Sequence, residues 1–134
     1  MRLSQVQPDD EELRLIFTAG FVLRDIGRLD EAETIFRGMA ELVSHSELPF
    51  VALGSIQLRR GEFTSAQEYC EQGLRRHPLS LYARVHRAEA LLFQQRREEA
   101  ETEFREIIES NPDSPHSRTA RALLEAANLI CEAK

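Results

Sequence analysis

The residues able to do chemistry are few and scattered. Histidines stand at 45, 77, 86 and 116, and cysteines at 70 and 131. Zinc or redox chemistry would need ligands at fixed short spacing, and the chain has no HExxH, no CxxC and no His–Cys pairing. Phosphate chemistry would need a glycine-rich cradle, and neither GxxxxGK[ST] nor GxGxxG occurs. Acyl transfer on a nucleophile elbow would need GxSxG, which is also missing. No convergent set of titrating groups is visible, so no enzyme, metal or cofactor is expected. The densest polar segment is 94–109, QQRREEAETEFREIIE. It reads as a solvated helix face, with Glu101 and Arg105 paired at i,i+4.

The background against which these residues sit is ordinary. The 134 residues make one domain, long enough to bury a core. Lys plus Arg is 17 and Asp plus Glu is 23, giving a net charge of −6. A nucleic-acid surface needs a basic face, so that partner class is not expected. No apolar run approaches the ~18 residues of a spanning helix, so no membrane insertion is expected. The start, MRLSQVQPDDEE, has no apolar stretch and reads as an acidic leader over 1–12 rather than a signal peptide. Its acids, Asp9 to Glu12, favour the positive end of a first helix. Two unpaired thiols suit a reducing compartment, so a cytoplasmic location is expected.

Position is more informative than composition. Gly20 and Gly54 are 34 residues apart, as are Gly27 and Gly61. Ala32, Ala66 and Ala100 step by 34, and so do Pro78 and Pro112. The shared period predicts a repeat of two helices and a tight turn. Ile16, Ala19, Gly20 and Leu23 form one apolar stripe at helical spacing, and Ile35, Phe36, Met39, Leu42 and Val43 form the next. Gly27 and Gly61 read as left-handed helix ends. Asp30 with Glu33, and Thr64 with Gln67, read as capping boxes opening the second helices. Gly20, Gly54 and Ala88 are small where two helices must approach closely. Pro49 suits a first helical turn, Pro78 and Pro112 end second helices, and Ser114-Pro115 opens a last helix. That helix carries Ala120, Leu123, Leu124, Ala127, Ile130 and Cys131 on one side, and Arg118, Arg121, Glu125 and Glu132 on the other. Cys70 and Cys131 read as small buried hydrophobes. The histidines read as surface or capping residues, with His45 and His77 near the ends of repeats.

The period and its anchors resemble the tetratricopeptide repeat (TPR) pattern of bulky-x2-Leu-Gly-x2-Tyr, then Ala-x3-Phe, then Pro. Unit 13–46 carries it as Ile16, Ala19, Gly20, Leu23, Ala32, Phe36 and Ser44. Unit 47–80 carries it as Phe50, Leu53, Gly54, Gln57, Ala66, Cys70 and Pro78. Unit 81–114 carries it as Arg84, Arg87, Ala88, Leu91, Ala100, Phe104 and Pro112. Ser44 departs from the closing Pro, and Arg84 and Arg87 stand where large apolar residues are usual. The resemblance implies an all-α, right-handed superhelical array of about seven helices. Three helix-turn-helix repeats would be closed by a capping helix in 115–134.

In TPR arrays the second, fifth, ninth and twelfth residues of each unit line the concave face. The resemblance therefore implies a partner groove of Arg14, Phe17, Phe21 and Arg24, then Leu48, Val51, Ser55 and Leu58, then Tyr82, Val85, Glu89 and Leu92. His116, Thr119 and Leu123 take the same places in the capping segment. The set is mostly apolar and lacks the Lys and Asn that TPR domains use to clamp the C-terminal carboxylates of heat-shock chaperones. It suits an amphipathic helix or an extended hydrophobic segment. Self-burial, by packing of Phe17 and Phe21 within the chain or by self-association, is the other reading.

Size, acidity and groove together resemble the small cytoplasmic TPR chaperones of bacterial type III secretion. These hold needle subunits, early export substrates or, with a longer N-terminal extension, translocators. The 12-residue leader favours the first two. The expected function is non-enzymatic: a hetero-complex covers a hydrophobic helix of a secretion subunit until export. A general TPR scaffold in another complex is the alternative.

Overall fold

The computed structural model describes residues 8–131. Within them the chain forms seven helices and no strand. They are α1 (Asp10–Asp25), α2 (Leu29–Leu42), α3 (Leu48–Arg60), α4 (Phe63–Arg76), α5 (Leu81–Phe93), α6 (Arg97–Ser110) and α7 (Pro115–Ile130). The expected all-α array is what forms. Leader residues 1–7 and Glu132 lie outside the described residues.

Short turns fold each helix back on its predecessor. Beyond these neighbours, α3 also packs on α5, and α5 on α7. Packing of alternate helices builds a stack with one row on the inside. The turns at Gly27 (φ +88°) and Gly61 (φ +79°) are left-handed, as their spacing predicts. The third turn uses Gln95 at φ 69°, again 34 residues on, without glycine's freedom. Its side-chain amide donates to the Ile130 carbonyl at 3.2 Å, tying that turn to the end of α7.

The helix starts divide into two kinds. Asp9 opens α1 with a reciprocal capping box: its carboxylate accepts from the Glu12 N–H at 2.8 Å, and Glu12 accepts from the Asp9 N–H. Ser80 and Ser114 cap α5 and α7 through their hydroxyls, each at 3.1 Å. The second helices start differently. The two expected capping boxes, Asp30 with Glu33 and Thr64 with Gln67, do not form. The turns are so tight that Arg28 and Glu62 hold the N-cap positions, without side-chain caps. Asp30 and Thr64 are then already inside their helices. Asp30 and Glu33 instead receive the Arg60 guanidinium from α3. That bond, helped by Arg37, holds the Glu33 carboxyl below its usual range against the opposing effect of burial. Gln67 donates to Glu71 and accepts from Gln94 just past the end of α5, both at 2.9 Å.

The core follows the small residues. An added Cβ on Gly20 would lie 2.6 Å from Cζ of Phe36, so the ring fills the space that glycine leaves. Phe36 is fully buried, with the Phe21 and Phe17 rings 5.0 and 6.2 Å away. Phe17 and Phe21 are thus half-buried packing partners within the first helix pair. Val51, Cys70 and Ala83 continue the core, and Val85, Leu91, Leu92, Phe104 and Ile107 carry it to α7.

Arg84 and Arg87, out of place in an apolar stripe, are accommodated by ion pairs. Arg84 forms a fork on Glu103 of α6, both bonds 3.1 Å, with side chains only 18% and 21% exposed. Arg87 reaches back to Glu71 of α4 at 2.8 Å. Burial alone would raise the Glu71 carboxyl, but the Gln67 and Arg87 hydrogen bonds outweigh it and bring it below the usual range. These two arginines therefore join α5 to both neighbouring helices. On α6, Glu101 takes Arg97 at 3.0 Å and Arg105 at 3.6 Å, along the helix face expected to be solvated. No helix among the described residues is long and apolar enough to cross a membrane.

Candidate interaction groove

The inner ends of α1, α3, α5 and α7 surround an open cleft of about 1040 Å³. Seven of the twelve residues named from repeat position line it: Phe21, Arg24, Leu48, Ser55, Leu58, Tyr82 and Glu89. His116 of the capping segment joins them. The other five do not. Val51, Val85 and Leu92 are fully buried and offer no surface. Val51 packs on Cys70 and Ala83, while Val85 and Leu92 lie in the core beneath α7. Their helices turn those positions toward the neighbouring pair rather than the opening. Phe17 is taken up by Phe36, and Arg14 is exposed outside the cleft.

The lining is part apolar and part polar. One wall carries Phe21, Leu48, Leu58, Leu79 and Leu81. Leu79 is 77% exposed, a large apolar side chain in water at the rim. The floor is polar and ordered. Arg24 donates to Ser55 Oγ and to Asp25, both at 3.0 Å, and its guanidinium lies 4.9 Å from the Phe21 ring centre. Ser55 in turn donates to the Ala52 carbonyl at 2.7 Å. Burial raises the Tyr82 phenol above its usual range, against a lowering influence from Arg24.

Three of the four histidines converge here: His77, His86 and His116. His86 Nδ1 sits 2.9 Å from Glu89 Oε1. The His116 ring stacks on Tyr82 at 5.8 Å, and His86 meets the same ring edge-on at 5.2 Å. Burial, with a smaller contribution from His86, lowers the affinity of His116 for a proton. Position in the repeat singles out His116. Nothing local singles out His86, which lies one turn after Tyr82 and is aimed inward only by the α5–α7 packing. The set resembles a site for hydrogen bonding rather than for nucleophilic attack. The Ser55 hydroxyl accepts from Arg24 and already donates to a backbone carbonyl.

Neither thiol adds reactivity. Cys70 is fully buried, and burial pushes its thiol up to about 12. Cys131 is 7% exposed and donates to the Leu92 carbonyl at 3.1 Å. An enclosed thiol does not reach a reagent. The native protein is therefore expected to leave a chromogenic disulfide reagent unreduced at pH 8, and to release two equivalents once unfolded in guanidinium. Rapid reaction of either thiol in the native state would contradict this.

The tetratricopeptide repeat family model matches residues 57–124, just over half of the chain. A comparison with curated proteins finds no match. Among solved structures, the type III secretion translocator chaperone SycD of Yersinia enterocolitica superposes with a TM-score of 0.76 at 21% identity, covering 88% of this chain and 91% of that one. SycD in complex with a peptide of the translocator YopD gives 0.72 at 22% identity, with 90% and 95% covered. The TPR domain of Arabidopsis OM64 also gives 0.72, at 16% identity, with 86% and 95% covered. At these identities the likeness is one of fold.

Proposed function

The chain belongs to the tetratricopeptide repeat family, and on that premise we propose that it is a non-enzymatic, cytoplasmic protein-binding module that holds a partner segment in its cleft. The units are 13–46, 47–80 and 81–114, with 115–134 as the closing cap. The partner is an amphipathic helix or hydrophobic stretch of a type III secretion subunit, covered until export. The observation that carries this reading is the cleft itself: exposed Leu48 and Leu79 on the wall beside the Arg24–Ser55–Tyr82 floor. Leucines seat apolar side chains, and the floor satisfies the polar groups that come with them. The SycD–YopD peptide complex supports it, as a solved case of this fold holding a translocator segment. The second reading, a general TPR scaffold, draws on the equal fit of the plant OM64 domain.

Co-expression with candidate needle, early-substrate and translocator subunits tests the proposal. A stable complex with one of them is expected. Leu58→Glu and Leu79→Glu should each weaken that complex by at least tenfold, because a buried carboxylate at an interface centre is poorly solvated. Both residues keep surface exposure, so helical content should not change. A complex of undiminished affinity would place the partner elsewhere. Capture of none of these subunits would favour the scaffold reading.

A further inference from the structure

The cleft ends at a histidine held where positive charge is unwelcome. His116 is the second residue of α7, and its backbone N–H donates to Ser114 Oγ at 3.1 Å. A helix N-terminus carries partial positive charge and favours acids. α1 meets that rule with Asp10, Glu11 and Glu12, whereas the first turn of α7 has no acid. Asp113, in the turn before α7, is exposed to water. On its open side His116 lines the cleft, and its ring stacks on Tyr82 of α5. The other groups of α5 do not offset a charge there. His86 would itself become positive on protonation, and Glu89 is engaged by His86 at 2.9 Å. α6 meets this end of α7 through the Ile107 carbonyl, which accepts from Ser117. Its charged contact, Arg97 with Asn128, lies about three turns further along α7. Across the opening, Arg24 and Arg59 already balance Asp25 and Glu47.

We propose that His116 makes occupancy of the cleft proton-linked: an apolar segment seats against the neutral imidazole, and protonation expels it. This rests on the cleft being the partner site. In the free protein, water reaches the ring from the open side and solvates a charge. A seated apolar segment removes that water and supplies no carboxylate in return, so the charged ring loses its last favourable contact. His86 differs, because Glu89 is its counter-ion when charged. His77, just past α4, is exposed and keeps its water. Burial, with a smaller contribution from His86, already holds His116 below the ordinary histidine value of 6.5. Seating lowers it further, so the bound state carries fewer protons than the free state. Affinity is therefore full above the free-state pKa and is lost as pH falls through it, by up to about tenfold per pH unit.

A probe without titrating groups isolates the protein's own protons. The chain contains no tryptophan. An acetylated, amidated amphipathic peptide of leucine, glutamine and one tryptophan therefore reports its own binding by fluorescence. Titrations between pH 8 and pH 5 are expected to give a constant Kd down to about pH 7, then a rise of roughly threefold or more by pH 5. His116→Gln keeps a hydrogen-bonding side chain without the charge and should flatten that profile. Proton NMR of the free chain should place the His116 midpoint below 6.5, where the binding profile bends. Two results would each overturn the proposal: a Kd that is unchanged or falls toward pH 5, or a pH dependence that persists in His116→Gln. Leu58→Glu at pH 8 separates this from the cleft reading itself. No binding, or binding indifferent to Leu58→Glu, refutes both together. Binding that Leu58→Glu abolishes but pH does not alter refutes the proton linkage alone.

Discussion

Phe36→Ala is expected to lower folding stability by about 3–5 kcal/mol, a large part of what a domain this size possesses. The ring is fully buried and stands in the space that Gly20 leaves. Removing it strips the partner from Phe17 and Phe21 together, because both pack on it rather than on a preceding helix pair. The cavity would open between α1 and α2, in the cluster that also holds Leu23, Leu29 and Ala32. Denaturant unfolding followed by circular dichroism measures the effect. Gly20→Ala in the same background should recover part of the loss, since the added methyl then meets empty space. A loss under 1 kcal/mol would show that the α1–α2 pair is already loose.

The second large effect concerns Glu103. Glu103→Ala is expected to cost about 1–3 kcal/mol, because Arg84 is left four-fifths enclosed with its fork unmatched. The more distant Glu106, 3.8 Å away and largely exposed, recovers little of this. Replacing both partners with leucine should cost far less than the single change, as desolvation of two charges is then avoided. The hydrogen bond to Glu103, ahead of the opposing effect of burial, raises the Arg84 guanidinium further above its already high range, so that side chain stays charged at any ordinary pH. A double-mutant cycle in urea separates these contributions. If the single substitution proves neutral, the fork contributes orientation without stability.

Much of the array is written locally. The 34-residue period, the glycines at 27 and 61, and the prolines at 49, 78, 112 and 115 each act within a few residues of themselves. Helix existence and order follow from such signals because backbone preference and apolar spacing are short-range. Even the exception obeys the period, since Gln95 adopts the left-handed turn that its register demands.

Caps were less legible. Asp30 and Thr64 have the right residue type, but helices that start two residues earlier placed them inside, where Arg60 claims the acid. Arg84 and Arg87 look misplaced in an apolar stripe until α6 and α4 supply Glu103 and Glu71 from 19 and 16 residues away. The interior of the groove was legible only in part. Repeat position names Val51, Val85 and Leu92 alongside Leu58 and Tyr82. Which of them meets solvent depends on the crossing of the neighbouring helices.

The sequence by itself therefore determined that this protein is a helical repeat, where its glycine and proline breaks fall, and which small residues allow close packing. Tertiary structure alone decided that His77 and His86 join His116 in the cleft, that Val51, Val85 and Leu92 are buried, and that an apolar stripe of α1, Leu15, Val22 and Ile26, faces water. The reason is physical. Turns and helices are set by neighbours along the chain, whereas burial and electrostatic partnership are set by surfaces that meet only after the chain has stacked.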